Sequence, residues 1–243
     1  MPSTLTFRLI GAMAALIATG GCAIGRRVSP EAFRRGMPLA IVTVSSSPQI
    51  VYTETHVVVT GTGAADTRGS GFKAGEARTV FPATKAAVLR ALSHTRQFQI
   101  VSEETVLSSA AYASAPVGPL NMGTKDNLAA KGYKLLFDKG QAARIARAVG
   151  ASGALFVSLE HNYTTQGVRG GRIAGDVNVM LTAVDRSGRI IWTDYTHQFS
   201  ERTLDSSSLR VATAALEPLL AESAERGTRV LLARLDEQLR GAR

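Results

Sequence analysis

From residue 154 to residue 199 the chain reads as three extended stretches, 154–166, 172–184 and 189–199. They are joined by the turns Gly167-Val168-Arg169-Gly170-Gly171 and Asp185-Arg186-Ser187-Gly188. Glycine supplies the backbone freedom that a tight reversal needs, and Asp and Ser side chains bond back to the turn, so successive strands joined in this way pair antiparallel. In the middle stretch Ile173, Gly175, Val177, Val179, Leu181 and Ala183 alternate with Asp176, Asn178 and Thr182. A period of two with that contrast means one buried face and one at least partly wet face. An apolar sheet face has to be covered by another layer, and the flanking sequence offers helices for it.

Thr84 is placed to cap a helix running to about Thr95, with Ala87, Val88, Ala91 and Leu92 on one stripe, and Phe98 to Val101 then reads as a short strand. A second helix covers about Gly140 to Val149, where Ala142, Ala143, Ile145, Ala146 and Val149 face inward and Gly150 is a stop signal. Near the C-terminus Leu209, Ala212, Leu216 and Leu219 have helical spacing. An interruption is expected at Glu217-Pro218, with a further one at Gly227, and a second helical stretch runs through Val230, Leu231, Leu235 and Leu239. Upstream, Leu39 to Val44 and Ile50 to Thr60 read as two strands separated by Ser45-Ser46-Ser47-Pro48. Residues 61–78, with five glycines, read as a mobile loop, and 105–125 as irregular. The expected fold is an α/β (α+β) layer sandwich: a mixed sheet with a C-terminal antiparallel meander packed against helices.

Several chemistries find little support. With one cysteine in 243 residues, no internal disulfide and no cysteine-rich metal centre can form. Gly61-Thr62-Gly63-Ala64-Ala65-Asp66 has neither the dinucleotide glycine pattern nor a following lysine, and Gly69-Ser70-Gly71 lacks a nucleophile-elbow frame. Of the four histidines, His161 and His197 lie on nearby strands where Glu160, Asp176 or Asp194 would be within reach. That is the best acid–base or metal proposal the sequence offers, although two polar residues on a wet sheet face explain it more simply. No catalytic, cofactor or metal residue is therefore assigned, and no enzyme activity. The formal charge is +9, from 28 Lys+Arg and 19 Asp+Glu, but the cations are scattered rather than interleaved with aromatics, so no nucleic-acid partner is expected. Anionic headgroups or an acidic envelope partner suit that charge better. Trp192 and Tyr195, near the last strand, are the candidate interaction surface, with core packing as the competing account.

The N-terminus bears on location. Arg8 precedes the apolar run Leu9 to Ala18, about the length of a signal peptide's apolar region and too short to span roughly 30 Å of hydrocarbon. The run meets Thr19-Gly20-Gly21-Cys22, which resembles the lipobox of bacterial lipoproteins, with Thr19 where that family usually has Leu. The resemblance implies that residues 1–21 are a removed signal peptide and that Cys22 carries the lipid, including palmitate. Ala23 at the next position then implies sorting to the outer membrane, facing the periplasm. Residues 22–38, with Arg26, Arg27, Arg34 and Arg35 among glycines and prolines, read as a basic tether, and 39–243 as a single α/β domain with C-terminal helices.

A second resemblance concerns the fold. Ala142 to Ala151, followed by a strand, a glycine turn and the run Val177 to Thr193 with its Asp185-Arg186-Ser187-Gly188 turn and Trp192, looks like a periplasmic lipoprotein domain. It resembles three families: the curli-secretion lipoprotein, the penicillin-binding-protein activator lipoprotein and the N-terminal domain of the Tol-system propeller protein. Roughly residues 80–200 are covered, by motifs of packing and turn formation that speak for fold more than for task. The resemblance implies a non-enzymatic envelope component that binds another envelope protein or assembles with copies of itself, in a secretion, surface-structure or cell-wall apparatus. The alternative is an envelope sensor or transport accessory domain that binds a small ligand.

Overall fold

The computed structural model describes residues 26–53, 55–60, 63–68, 72–117, 127–136, 138–166, 171–205 and 210–241. The expected signal peptide, Cys22, the turn residues 167–170 and Leu209 lie outside the described residues. The meander is present as β8 (Gly153–Gln166), β9 (Arg172–Asp185) and β10 (Ile190–Phe199), paired antiparallel throughout. The turn between β9 and β10 is built on Asp185, whose Oδ1 accepts from Ser187 N at 2.9 Å and Arg189 N at 3.0 Å, with Gly188 at φ +84°. Partial burial pushes the Asp185 carboxyl upward, but the hydrogen bonds from Ser187 and Arg189 outweigh it and hold the carboxyl below its usual range.

Upstream the observed strands differ from the expected ones. A single strand, β2 (Met37–Tyr52), runs parallel to β8 where two strands and a turn were expected. Its register slips between Ile41 and Thr43 and again between Ser46 and Ile50, so Ser47, Pro48 and Gln49 bulge out where β8 has only Glu160. A bulge removes a proline from the ladder without ending the strand. The far edge of β2 is closed by three short strands: β6 (Phe98–Ile100, parallel), β7 (Leu128–Ala129) and β5 (Phe72–Glu76), the last two antiparallel. The expected loop at 61–78 is thus strand in part, since β3 (Thr55–Thr60) also pairs with β4 (Gly63–Arg68). The main sheet runs β1-β10-β9-β8-β2-β5, and β11 (Leu204–Asp205) is attached to β9.

Outermost is β1 (Arg27–Val28), paired with Thr193 and Trp192 of β10. Ser29 N donates to Ile191 O at 2.8 Å, and Phe33 is buried edge-on against Phe98 and Trp192. The segment expected to be a tether therefore belongs to the fold from Arg26 onward. An apolar Phe33 placed to bury its ring outweighs the loop-like glycines and prolines around it.

Helices cover both faces of the sheet. On one lie α1 (Phe81–Ser93) and α5 (Thr213–Gly241), enclosing Leu39, Leu155, Leu159, Val177, Val179 and Leu181. On the other, α2 (Glu103–Leu107), α3 (Ala110–Ala113) and α4 (Lys139–Ala148) enclose Ala40, Val42, Ala154 and Val184 at one end only. Helix α1 starts before the expected cap: Thr84 is fully buried and its hydroxyl donates to Phe81 O at 3.1 Å. Ser102 caps α2 just ahead of the stretch expected to be irregular, and Ser109 caps α3 inside it.

Helix α5 is continuous, with Pro218 inside it rather than at a break. Proline so near an N-terminus costs few backbone bonds, and the buried row Leu216, Leu220, Ala224 and Leu231 offsets them. Gly227 is a contact point and not a break: a Cβ there would lie 2.9 Å from Val179 Cγ2. Gly175 does the same from the strand side, where a Cβ would meet the Leu219 carbonyl carbon at 2.8 Å. Two missing side chains let helix and sheet approach this closely.

Candidate functional site

The sheet face opposite α1 and α5 is covered only at the end where α2, α3 and α4 pack, and the rest presents a lattice of side chains in rows. Phe156, Thr182 and Thr193 form one row, Ser158, Met180 and Tyr195 the next, and Glu160, Asn178 and His197 the third. Each row follows from antiparallel register, which sets directly opposed residues on one face about 5 Å apart. Thr182 and Thr193 share a hydroxyl hydrogen bond at 3.0 Å, and Asn178 Nδ2 donates to Glu160 Oε2 at 2.8 Å. Met180 is 40% and Tyr195 49% exposed, which makes them the large apolar groups standing out from this face. Beside them Phe156, Leu136, Ile190 and Thr43 help line a shallow depression of about 470 Å³.

Of the expected contact pair, only Tyr195 is at the surface. Trp192 is fully buried between Phe33 and Phe98, because its register partner is Ala183, on the apolar side of β9. Strand parity carries that signal in the sequence: two residues after Trp192 come Asp194 and then Thr196, both buried, while Tyr195 and His197 alternate outward. Asp194 lies under α5 with ion contacts to Arg26 Nε at 3.2 Å and Arg234 Nη1 at 3.7 Å. It also accepts from Tyr195 N at 2.8 Å, and Arg234 donates to Tyr195 O at 3.3 Å. The outer edge of β10 is thereby occupied by side chains at Tyr195, which blunts it against strand addition there.

The two histidines of the acid–base proposal sit on opposite faces of the sheet. His161 is buried beneath α1, its Nδ1 at 2.9 Å from Ser46 Oγ and its Nε2 at 2.9 Å from Thr84 Oγ1, with Phe81 edge-on. Burial pulls its pKa down to about 4. His197 is on the open face, its Nδ1 3.8 Å from Asp176 Oδ1, and that carboxylate is buried rather than wet as the alternation suggested. The two rings are thus kept apart by the sheet, and among the described residues no three His, Cys, Asp or Glu side chains converge as a metal set. Cys22 lies outside the described residues. No described helix is long and apolar enough to cross a membrane.

A second concavity, about 720 Å³, opens beside the start of α1. It is lined by Phe81, Pro82, Leu89 and Leu128, with the cations Arg78, Lys85 and Lys131 around it. Lys85 is already engaged, with Glu103 at 2.8 Å and with the Tyr133 ring. No local signal in the sequence marks this concavity, because its walls come from α1 and from the residues at β7, far apart in the chain.

No family model matches the chain, and a search of curated proteins found no match. Solved structures with a similar course include the LpoB C-terminal domain from Salmonella enterica, at 18% identity and a TM-score of 0.32, covering 68% of this chain and 83% of that one. LpoB of Escherichia coli, solved by NMR, is 16% identical with a TM-score of 0.35, covering 76% and 74%. The Chlamydia trachomatis protein CT253 is 9% identical with a TM-score of 0.35, covering 85% and 96%. Of the three families that the sequence resembles, the penicillin-binding-protein activator lipoprotein is the one met among these structures.

Proposed function

We propose that the chain is a lipoprotein held by Cys22 to the outer membrane, facing the periplasm, and that it works without catalysis as an interaction or assembly component of the cell envelope. Its partner is another envelope protein or a second copy of itself, in a secretion, surface-structure or cell-wall apparatus. The observation that carries this reading is the open sheet face, where Met180 and Tyr195 stand exposed in one row between the polar row of Glu160, Asn178 and His197 and the threonine pair Thr182 and Thr193. An apolar centre with a polar surround is the anatomy of a protein contact. The lipobox resemblance at Cys22 supplies the anchor, and confinement to a membrane raises the effective concentration of the face toward partners there.

A second reading, a sensor or transport accessory domain, has its own support in the 720 Å³ concavity beside α1, whose apolar floor and cations suit a small amphipathic anion. The two readings separate experimentally. The full-length protein, purified from membranes in mild detergent beside Cys22→Ala and Tyr195→Ala forms, is expected to bring a reproducible envelope protein or its own oligomer, reduced in both variants. A wild-type monomer with no companion overturns the contact reading and favours the ligand one.

A further inference from the structure

Around α5 from Glu225 onward, three carboxylates each meet two guanidinium groups. Asp194 has Arg26 and Arg234. Asp236 has Arg35 and Arg240, and Glu225 has Arg90 and Arg229. Each of these three carboxylates thus has two arginines, so these clusters keep an excess positive charge after pairing. Two more exposed arginines, Arg34 and Arg96, have no carboxylate partner among the described residues, whereas Arg27 is opposed to Thr193 and belongs to the open face. Gln97, next to Arg96, is fastened to Asp236 at 2.5 Å, which brings the loop after α1 to the same helix.

The same side of the molecule is where the chain enters. Cys22 precedes Arg26 by four residues, and four residues span at most about 14 Å when fully extended. A lipid on Cys22 would therefore hold Arg26 within about 14 Å of the bilayer surface, on the order of one to two screening lengths at physiological salt. The arginine excess and the chain entry are independent features, and they coincide.

We infer that the arginine-rich side of α5, with the 26–36 segment and the loop after α1, is a surface that lies on anionic phospholipid headgroups and fixes the orientation of the domain on the membrane. This rests on the anchored reading above and adds to it an occupant and a direction. The open face of Met180 and Tyr195 lies across the sheet from α5, so the domain presents it away from the lipid, toward a partner. Arginine suits the task because its guanidinium forms paired hydrogen bonds with phosphate oxygens.

The test uses the native lipidated protein in vesicles of phosphatidylcholine, alone or with about one-third phosphatidylglycerol to supply surface charge. A donor dye is placed at Ala233→Cys, exposed on α5, or at Ala110→Cys, exposed on α3 across the sheet, and acceptors are placed on headgroups. On anionic vesicles transfer from position 233 is expected to exceed that from 110 by about threefold, and to fall toward parity on neutral vesicles, in roughly 1 M salt, and in the Arg34→Gln, Arg96→Gln double variant. Equal transfer on anionic vesicles, or stronger transfer from 110, overturns the proposal, as does a preference that neither salt nor lipid charge alters. Anchoring is scored separately, by flotation with vesicles in high salt. A chain that fails to float overturns the anchor reading, and the arginine surface is then judged by whether it binds anionic over neutral vesicles at low salt; no difference overturns it too. An acidic soluble protein that binds the surface more tightly than the vesicles do also overturns it.

Discussion

Hydrogen counting at His161 exposes a conflict built into the core. Ser46 Oγ is placed to donate to Ser47 O at 2.8 Å and Thr84 Oγ1 to Phe81 O at 3.1 Å, and each hydroxyl also faces a ring nitrogen of His161 at 2.9 Å. Four contacts need four hydrogens. A neutral imidazole with two hydroxyls supplies three, whereas an imidazolium would supply all four. Burial opposes the charge and brings the ring's pKa to about 4 from 6.5, so the folded chain keeps the ring neutral at ordinary pH and leaves one contact without its hydrogen. The unfolded chain takes up a proton below 6.5 while the folded one resists until about 4, so stability falls as pH drops through that window and levels off below it. The full shift corresponds to roughly 3 kcal/mol, a ceiling because the extra hydrogen bond offsets part of it. Urea unfolding at a series of pH values should show this loss for the wild type and a flatter profile for His161→Gln. An equal slope in both would place the titration elsewhere. Nothing in the sequence pointed to the arrangement: His161 follows the parity of Leu155, Val157 and Leu159, which marks it as inward, but its partners lie on β2 and α1, far away in the chain.

At the scale of elements, the meander was legible because its information is local: alternation within each strand and turn chemistry between them. At Pro48, Pro218 and Gly227 a local signal for a break is overridden by a distant neighbour. Pro48 was expected to end a strand, and β8 instead accommodates it as a bulge. Pro218 and Gly227 were expected to divide a helix that stays whole because one face of it is buried on β9 and β10. The glycines that seat that helix give unequal predictions. An alanine Cβ at Gly175 meets the Leu219 backbone at 2.8 to 2.9 Å, which cannot move without moving α5. At Gly227 the obstruction is the end of the Val179 side chain, and a Cβ also raises helix propensity by about 1 kcal/mol. Gly175→Ala should therefore cost about 3 kcal/mol or more by overpacking, and Gly227→Ala much less. Denaturant midpoints measure both, and similar losses would mean that α5 is not held where the close approach places it.

For the whole molecule, the distance between the anchor proposed at Cys22 and the domain decides what the open face can reach. The sequence suggested a tether of residues 22–38, and the described fold takes in everything from Arg26 onward, so the connection shrinks to a few residues. The difference was invisible in composition, since Arg26, Arg27, Pro30 and Gly36 suit a linker as well as a segment pinned by Phe33. With the lipid proposed on Cys22, such a domain would sweep a thin layer next to the membrane, and a partner would have to present itself there. Inserting about twenty Gly and Ser residues between Ile24 and Gly25 would give the domain a typical extension of roughly 25 Å, and would dilute the face through a thicker layer. Capture of a membrane-proximal partner should then drop severalfold, while Tyr195→Ala should abolish it at either length and leave the unfolding midpoint nearly unchanged, because the side chain is half exposed. Co-purification yield against linker length reads the first effect directly. If yield rises with the insertion, the partner sits farther from the membrane than the short connection permits, and the native protein would have to meet it where the two surfaces approach each other.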